Sequence, residues 1–431
     1  MAVKLNDVQR IHFIGVGGIG MSALARLCLF EKKFVTGSEL KVTPITEALA
    51  AEGVTVTYGQ TGDDLPEEID LVVYTEAIPK DNAERVALKK RGVPMMNYFE
   101  ALGLAVNDYY LIAVAGTHGK TTTTAMLADV FETAEKDPTV VVGSLRAKTQ
   151  SNFRGGKSKY AIVEACEYKR DFMSLEPDAL VITNIEYEHA DYYKNLDEVK
   201  AAFADLAKKV PAEGVIVANT DDPNVAEVLS GVTAKTVDYS EFVDPLLQLQ
   251  APGMHNLMNA AAALAVARHE GIDLYLAREA LKGFTGTWRR FEYKGEYKGA
   301  PVIDDYAHHP TEIKVTIKAA RERCPDKKIL AIFQAHTHSR LRQFHDDFAA
   351  ALGIADEVHL LPVYGAREED GKPVSMLEFV AKVTETNGHV TMHESVTDLS
   401  QVLEGTDLNN TLILIMGAGD VTEFATRLVQ L

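Results

Sequence analysis

Cysteine is nearly missing from this 431-residue chain: Cys28, Cys166 and Cys324 are the whole complement, widely spaced and odd in number. That argues against a disulfide framework and fits a reducing compartment, so a cytoplasmic location is expected. Basic residues are outnumbered by acidic ones, 44 to 62, which argues against an electrostatic grip on nucleic acid and reads most simply as solubility. No apolar run is long enough to span a bilayer, and the first residues lack a signal-peptide profile, so neither a membrane partner nor secretion is expected. Repeats and low-complexity tracts do not stand out either. Nothing in the composition bears on oligomeric state.

What the chain does have is alternation. Short β-rich apolar runs and longer amphipathic stretches succeed one another almost throughout, the pattern of an α/β fold with mostly parallel sheets. The length calls for two or three domains, and three blocks separate. The first, expected over 1–107, carries Ile11 to Ile14, Val54 to Val56 and Leu71 to Tyr74 as strands. The second, 108–287, carries Tyr110 to Ala115, Tyr160 to Glu164, Ala179 to Thr183 and Val215 to Ala218, and closes with an alanine-rich helix after His255. The third, 288–431, carries Val302 and Ile303, Ile329 to Phe333, Val358 to Leu361 and Leu412 to Met416.

Two glycine-rich turns follow strands and open helices. Gly116-Thr117-His118-Gly119-Lys120-Thr121-Thr122 follows the run ending at Ala115. A strand that turns through glycines into a helix aims backbone N–H groups and the positive end of the helix dipole at one small volume, where an anion belongs. Lys120 would reach the outer phosphates of a nucleoside triphosphate and the Thr121 hydroxyl would sit on magnesium. The glycine that the general pattern places five residues before Gly119 is Val114 here, so the loop is a shortened variant. Its plain competitor is a strand, a turn and a helix with a solvated lysine.

The second turn, Gly15-Val16-Gly17-Gly18-Ile19-Gly20, has an acid, Glu39, about twenty residues on, where a dinucleotide fold often places a ribose ligand. Alone it reads as an NAD site, and an NAD-dependent oxidoreductase built on it is one alternative. That reading leaves Gly116 to Thr121 without a role. A catalytically silent module with ATP as a switch is another.

Taken together, the residues resemble the Mur ligase family over essentially the whole chain. The resemblance is carried by Gly15 to Met21, Gly116 to Thr121, Glu164 in Val-Glu-Ala-Cys-Glu, and Thr183-Asn184-Ile185-Glu186 leading to His189. It continues through His255 to Ala260, Arg289-Arg290-Phe291, Asp304 to Glu312, Phe333-Gln334-Ala335-His336 and Gly417-Ala418-Gly419-Asp420. It implies a Rossmann-like N-terminal domain holding a UDP-sugar, a central P-loop ATPase domain and a Rossmann-like C-terminal domain holding an amino acid. The implied reaction is ATP-dependent amide synthesis in peptidoglycan assembly: the lactyl carboxylate of UDP-N-acetylmuramate becomes an acyl phosphate and the amine of L-alanine displaces phosphate. A carboxylate is a poor acylating agent, so activation by ATP is chemically required, and the transfer itself mainly needs positioning and positive charge.

By the same resemblance the UDP-sugar lies around Gly15, Gly17, Gly18, Gly20, Met21, Ser38, Glu39 and Thr75. ATP engages the Gly116 to Thr122 loop, including His118 and Lys120, with His255 and Asn259 at adenine, Arg290 at the γ-phosphate, Asp305 at the ribose and Tyr306 nearby. Asn259 has the donor and acceptor that the base edge requires, although Asn256 or Asn259 could equally cap the helix. Thr121, Glu164 and His189 are the implied magnesium ligands, and His308, His336 and Arg340 the implied amino-acid and reaction-centre residues. Glu167 and Asp171 read as surface charge.

The chain departs from the family in places. Ala335 and Thr337 stand where proline and an amino-acid-binding arginine are usual, Cys166 where an acid is usual, and Glu76 where a serine pair is common near the UDP-sugar. Phe203 occupies the approximate place of the carbamylated lysine of sister ligases, which favours the alanine-adding branch. The rival within the family is the recycling ligase that attaches a preformed tripeptide.

Overall fold

The computed structural model describes residues 5–365 and 373–430, with fifteen α-helices and eighteen strands among them. The strands form three sheets. The first contains β1 (Arg10–Ile14), β2 (Phe34–Glu39), β3 (Thr55–Tyr58), β4 (Leu71–Tyr74) and β5 (Met95–Asn97), ordered β3-β2-β1-β4-β5 and wholly parallel. The second contains β6 (Tyr110–Ala115), β7 (Thr139–Arg146), β8 (Ser151–Arg154), β9 (Tyr160–Glu164), β10 (Ala179–Ile182), β11 (Val215–Ala218) and β12 (Lys235–Asp238). Its order is β12-β11-β10-β6-β9-β7-β8, with β8 alone antiparallel to its neighbour. The third contains β13 (Glu292–Tyr297), β14 (Ala300–Asp305), β15 (Lys328–His336), β16 (Glu357–Tyr364), β17 (Val390–Met392) and β18 (Thr411–Met416). Here β13 is the antiparallel edge of the order β13-β14-β18-β15-β16-β17.

The apolar runs are continuous for a physical reason. A parallel strand covered on both faces shows no alternation. Leu111 to Ala115, Leu180 to Ile182, Val215 to Ala218 and Leu412 to Met416 are accordingly all buried. In the first two sheets the chain reverses direction across the sheet beside β1 and beside β6, and both glycine turns leave the carboxyl ends of those strands. That is where open α/β sheets bind ligands.

By compactness the chain divides into two units. One comprises the chain up to Glu188, Asn195–Val243 and Asn259–Leu281; the other comprises His189–Lys194, Asp244–Met258 and the chain from Lys282 onward. The first unit therefore holds two sheets, and a buried polar junction ties them together. The Arg26 guanidinium, on helix Ile19–Phe30, pairs with Glu52 and donates to Asn152 Oδ1 at 2.6 Å. Asn152, on β8, returns its amide protons to Ile19 O and Ser22 Oγ. Nearby, Asn107 donates to Ser174 O and accepts from the amide of Glu176, both at 3.0 Å. At Gly103 a Cβ would stand 2.3 Å from Ser174 O, so only glycine permits that approach.

Asn152 is completely buried, so its loss strands a buried guanidinium N–H, while Ser22 keeps its bond to Ile19 O. Asn152→Ala should lower stability by about 1–3 kcal/mol, whereas Glu52→Ala, at the exposed end of the network, should cost about 1 kcal/mol or less. Urea titration followed by circular dichroism compares the two. Equal losses would mean that the junction does not depend on Asn152.

Candidate active site

The phosphate loop is stitched to the neighbouring strand end. Gly116 has φ 139° and Gly119 φ 82°, and a Cβ on Gly116 would lie 1.8 Å from Thr183 Oγ1. A Cβ on Gly119 would lie 2.4 Å from Asn259 Oδ1. The amide of Thr117 donates to Asn184 O at 3.0 Å and that of His118 to Asn184 Oδ1 at 2.9 Å. Thr183 Oγ1 and Asn184 Nδ2 both donate back to His118 O, at 2.6 and 3.1 Å. The Glu186 amide donates to Thr117 Oγ1 at 2.9 Å. His118 Nε2 stands 3.6 Å from the Glu186 carboxylate. Helix Lys120–Thr133 then begins with no side-chain cap, and the first amides of such a helix lack intrahelical acceptors. Thr121 and Thr122 sit buried in that first turn.

Lys120 folds back over its own loop. Its Nζ lies 2.5 Å from Gly116 O, 3.0 Å from Thr117 O and 2.8 Å from Glu167 Oε2. Burial alone would lower its pKa, but Glu167 foremost, with Cys166 and Glu164, raises it above the ordinary lysine value. Glu167 is only 2% exposed, which corrects the expectation of surface charge. Asp171 is corrected too: burial first, and the nearby Glu76 carboxylate second, push it up to about 7. The Cys166 thiol is likewise raised by burial and Glu167.

Glu164, at the end of β9, is no loose strand-end carboxylate. Oε1 accepts from the Thr121 hydroxyl at 3.0 Å and Oε2 from the Gly143 amide at 2.8 Å. A Cβ at Gly143 would strike the carboxylate at 2.6 Å. The Thr121 and Glu164 oxygens thus form a pair of hard donors at the mouth of the loop, which suits magnesium. Phe203 packs edge-on to Phe172 in the core.

Around the first glycine turn, Gly15 adopts φ 83°, and the amides of Gly15 and Val16 donate to Ser38 O. Ser38 is fully buried and its hydroxyl donates to Glu84, so it holds the turn rather than offering its hydroxyl to a ligand. Glu39 does similar work, accepting from the Gly17 amide at 3.0 Å and from Leu40 N at 2.9 Å. Thr75 faces the turn: a Cβ on Gly15 would lie 2.8 Å from its methyl group. Met21 is buried in the following helix. Gly20 meets the Tyr98 ring, 2.7 Å from where its Cβ would be. Sequence reasoning passed over Tyr98, and the glycine at position 20 was its one signal.

The remaining residues belong to the second unit, apart from Asn259. Asp305 organises the turn after Trp288: Oδ2 accepts from the Phe291 amide at 2.7 Å, and Oδ1 accepts from Ala307 N at 2.8 Å and from Thr316 Oγ1 at 3.5 Å. Oδ2 can accept one further hydrogen bond. Burial pushes the Asp305 carboxyl up to about 6, against Arg290 and the two amides. The guanidinium carbons of Arg289 and Arg290 lie 4.8 and 5.1 Å from the Tyr306 ring centre. Arg290 also reaches Glu312 at 3.7 Å, and Glu312 accepts from the His308 amide at 3.0 Å.

His308 and His336 are brought together, ring centres 6.2 Å apart. Arg340 Nη1 is 3.2 Å from His336 Nδ1 and 3.3 Å from His336 O. An arginine is always the donor, so Nδ1 accepts and the imidazole proton resides on Nε2. Thr337, in place of the expected arginine, has φ 70° and caps the short helix His338–Gln343. His255 and Asn259 lie on helix Met254–His269. Burial lowers His255 to about 4, with Glu312 opposing, so its ring is neutral near pH 7 and offers one donor and one acceptor. Asn259 is interior to the helix and accepts from Thr123 Oγ1 at 3.2 Å, which rules out the capping alternative for it. His189 has φ 57°, and its carbonyl accepts from the amides of Tyr192 and Tyr193.

Comparison with known proteins covers the same three regions. Residues 10–110 match the Mur ligase family catalytic domain, 114–244 the Mur ligase middle domain and 289–419 the Mur ligase glutamate ligase domain. The UDP-N-acetylmuramate--L-alanine ligase of Agathobacter rectalis is 38% identical, covering 97% of each chain. The enzyme of that name from Caldanaerobacter subterraneus subsp. tengcongensis is 38% identical over 100% of this chain and 99% of its own. The crystal structure of UDP-N-acetylmuramate-alanine ligase from Thermotoga maritima superposes with a TM-score of 0.82 at 30% identity, covering 98% of both chains. With all three sheets matched, and its relatives matched over nearly their full length, the chain belongs to the Mur ligase family.

Proposed function

We propose that this protein ligates L-alanine to UDP-N-acetylmuramate, consuming ATP through an acyl phosphate, in the cytoplasmic branch of peptidoglycan precursor synthesis. The observation that carries the reading is the mouth of the phosphate loop, where an uncapped helix start, the Lys120 ammonium and the paired Thr121 and Glu164 oxygens stand together. An oxidoreductase has no use for that group. The full-length identity to ligases named for alanine favours it over the tripeptide-recycling rival.

In this reading residues 1–107 hold the UDP-sugar, 108–287 hold ATP and 288–431 hold the amino acid. Lys120 and the loop amides of Gly119 to Thr122 stabilise the charge on the γ-phosphoryl oxygens while the lactyl carboxylate attacks phosphorus and the bond to ADP breaks. Magnesium, held by Thr121 and Glu164, supplies further neutralisation when bound, and His189 is the candidate ligand for a second ion. The alanine nitrogen then attacks the acyl carbon, phosphate leaves and the amine gives up a proton. His308, His336 and Arg340 are assigned to the amino acid, with Arg340 facing its carboxylate. His255 and Asn259 are assigned to adenine, and Arg290, Asp305 and Tyr306 to the rest of the nucleotide.

The test is incubation with ATP, UDP-N-acetylmuramate and individual amino acids, following phosphate release and the ligated product. L-alanine should support both, and NAD with any of these substrates should show no redox change. Phosphate release with no amide product would defeat the proposal.

Lys120→Ala should reduce phosphate release by roughly 10²- to 10³-fold, as loss of a transition-state charge donor typically does, with UDP-N-acetylmuramate binding little changed by calorimetry. Near-normal turnover would remove Lys120 from the mechanism. Glu164→Ala should slow acyl-phosphate formation and recover in part as magnesium is raised. Indifference to magnesium would take Glu164 out of the metal site. Arg340→Ala should raise the L-alanine requirement roughly 10- to 100-fold, the equivalent of one charge-assisted hydrogen bond of ~1.5–3 kcal/mol. A change confined to the ATP requirement would show that the amino acid binds elsewhere.

A further inference from the structure

A chain of four titratable side chains crosses the edge of the third sheet. Glu357 and His359 stand on β16, His393 follows the three-residue strand β17, and Asp398 lies in the first turn of helix Val396–Gly405. Glu357 Oε1 is 2.8 Å from His359 Nε2, His359 Nδ1 is 2.7 Å from His393 Nε2, and His393 Nδ1 is 3.3 Å from Asp398 Oδ2. The two rings are buried and nearly parallel, whereas the carboxylates at the ends are partly exposed. Ile332 of β15 and Thr391 of β17 stand in register with His359. The Glu394 amide donates to Asp398 Oδ2, and Lys382, on the helix Met376–Thr386 that packs on β17, pairs with Asp346 and Glu385.

Protons can be counted along this chain. Each of its three contacts needs one, because an ionised carboxylate only accepts and two imidazole nitrogens bond only when one of them is protonated. A neutral pair of rings has two protons on four nitrogens and leaves a lone pair facing a carboxylate. A doubly charged pair has four and sets two N–H groups against each other across 2.7 Å. Three protons, and so one positive charge, satisfy every contact. We infer that the pair holds one added proton, His359 being the imidazolium and His393 a neutral ring protonated at Nδ1, and that this charged chain is a pH-sensitive clamp on the edge of the sheet. Glu357 is the nearer carboxylate, which places the charge on His359. Burial first, and His359 second, hold His393 below the ordinary histidine value, with Asp398 opposing.

The edge has need of a clamp, since β17 pairs with β16 alone and over three residues. In an unfolded chain both rings take up protons near about pH 6.5. Because His393 is held lower than that, the clamp's stabilisation is present above this pH and fades as pH falls through the folded value. There the second proton breaks the contact between the rings.

Histidine-selective ¹⁵N NMR of the full chain at pH 7 reads the state of each ring nitrogen, with single substitutions of His359 and His393 assigning the signals. The wild type should show His359 protonated at both nitrogens and His393 at Nδ1 alone. Asp398→Asn supplies an amide donor to His393 Nδ1, so the pair should fall to two protons and His393 should switch to the Nε2–H tautomer. Glu357→Gln does the same at the other end: His359 should become neutral and protonated at Nδ1, and His393 should stay as it was. Two or four protons on the wild-type pair, or ring states indifferent to both substitutions, would overturn the inference. Lowering the pH from 7 to 5 should speed hydrogen exchange over residues 390–393, corrected for the intrinsic rate, at least tenfold in the wild type. The same change in a His359→Gln/His393→Gln chain should be less than threefold. Equal responses would show that the pair does not hold the edge.

Discussion

The closeness of Gly116 to Thr183 governs the phosphate loop. With 1.8 Å between a virtual Cβ and the threonine oxygen, no side chain can stand at position 116, and the backbone is free to bond directly to the end of β10. The amides of Thr117 and His118 are spent on Asn184, so they cannot also serve an anion. What is left to face an anion is therefore the start of the helix at Lys120, with its uncapped amides and dipole. Parallel pairing of β6 with β10 sets this up, because it brings both strand ends to the same edge of the sheet.

Three carboxylates in the two units show how surroundings divide labour among like groups. Glu164 is tied down by a hydroxyl and an amide and keeps its oxygens at the loop mouth. Glu167, three residues later, is buried against an ammonium. Asp305 is spent almost wholly on backbone amides, and burial raises its pKa to about 6. Chemical type alone would have given all three the same task.

Most of the buried strands, though not β7, and the two glycine turns were legible because their causes are local: continuous apolar runs, and glycines where a strand becomes a helix. The strand readings at Tyr160 to Glu164 and Val215 to Ala218 coincide with β9 and β11. The edge strands β8 and β12 were not legible. Ser151 to Arg154 in β8 and Lys235 to Asp238 in β12 have mixed or polar sequences, and their extended form comes from the partner strand. Glu167 was misread for a related reason. An acid followed by Tyr168, Lys169 and Arg170 looks solvated, and only the return of the chain past Lys120 buries it. Ser38 and Glu39 lie beside the glycine turn, yet Ser38 spends its hydroxyl on Glu84 and Glu39 spends its carboxylate on the amides of Gly17 and Leu40, a distinction that needs three-dimensional bonding to see.

The junction at Asn152 has a consequence for how the protein can be divided. Family segments end near residue 110 and resume at 114, which invites cutting the gene between them. Yet Arg26 relies on an acceptor from β8, and Phe30 lies against Phe153 and Gly155 beyond that cut. A fragment ending there would expose an aromatic face and leave the buried Arg26 guanidinium without one of its hydrogen-bond acceptors. The compact unit, with its buried contacts, runs straight across the first of the segment boundaries.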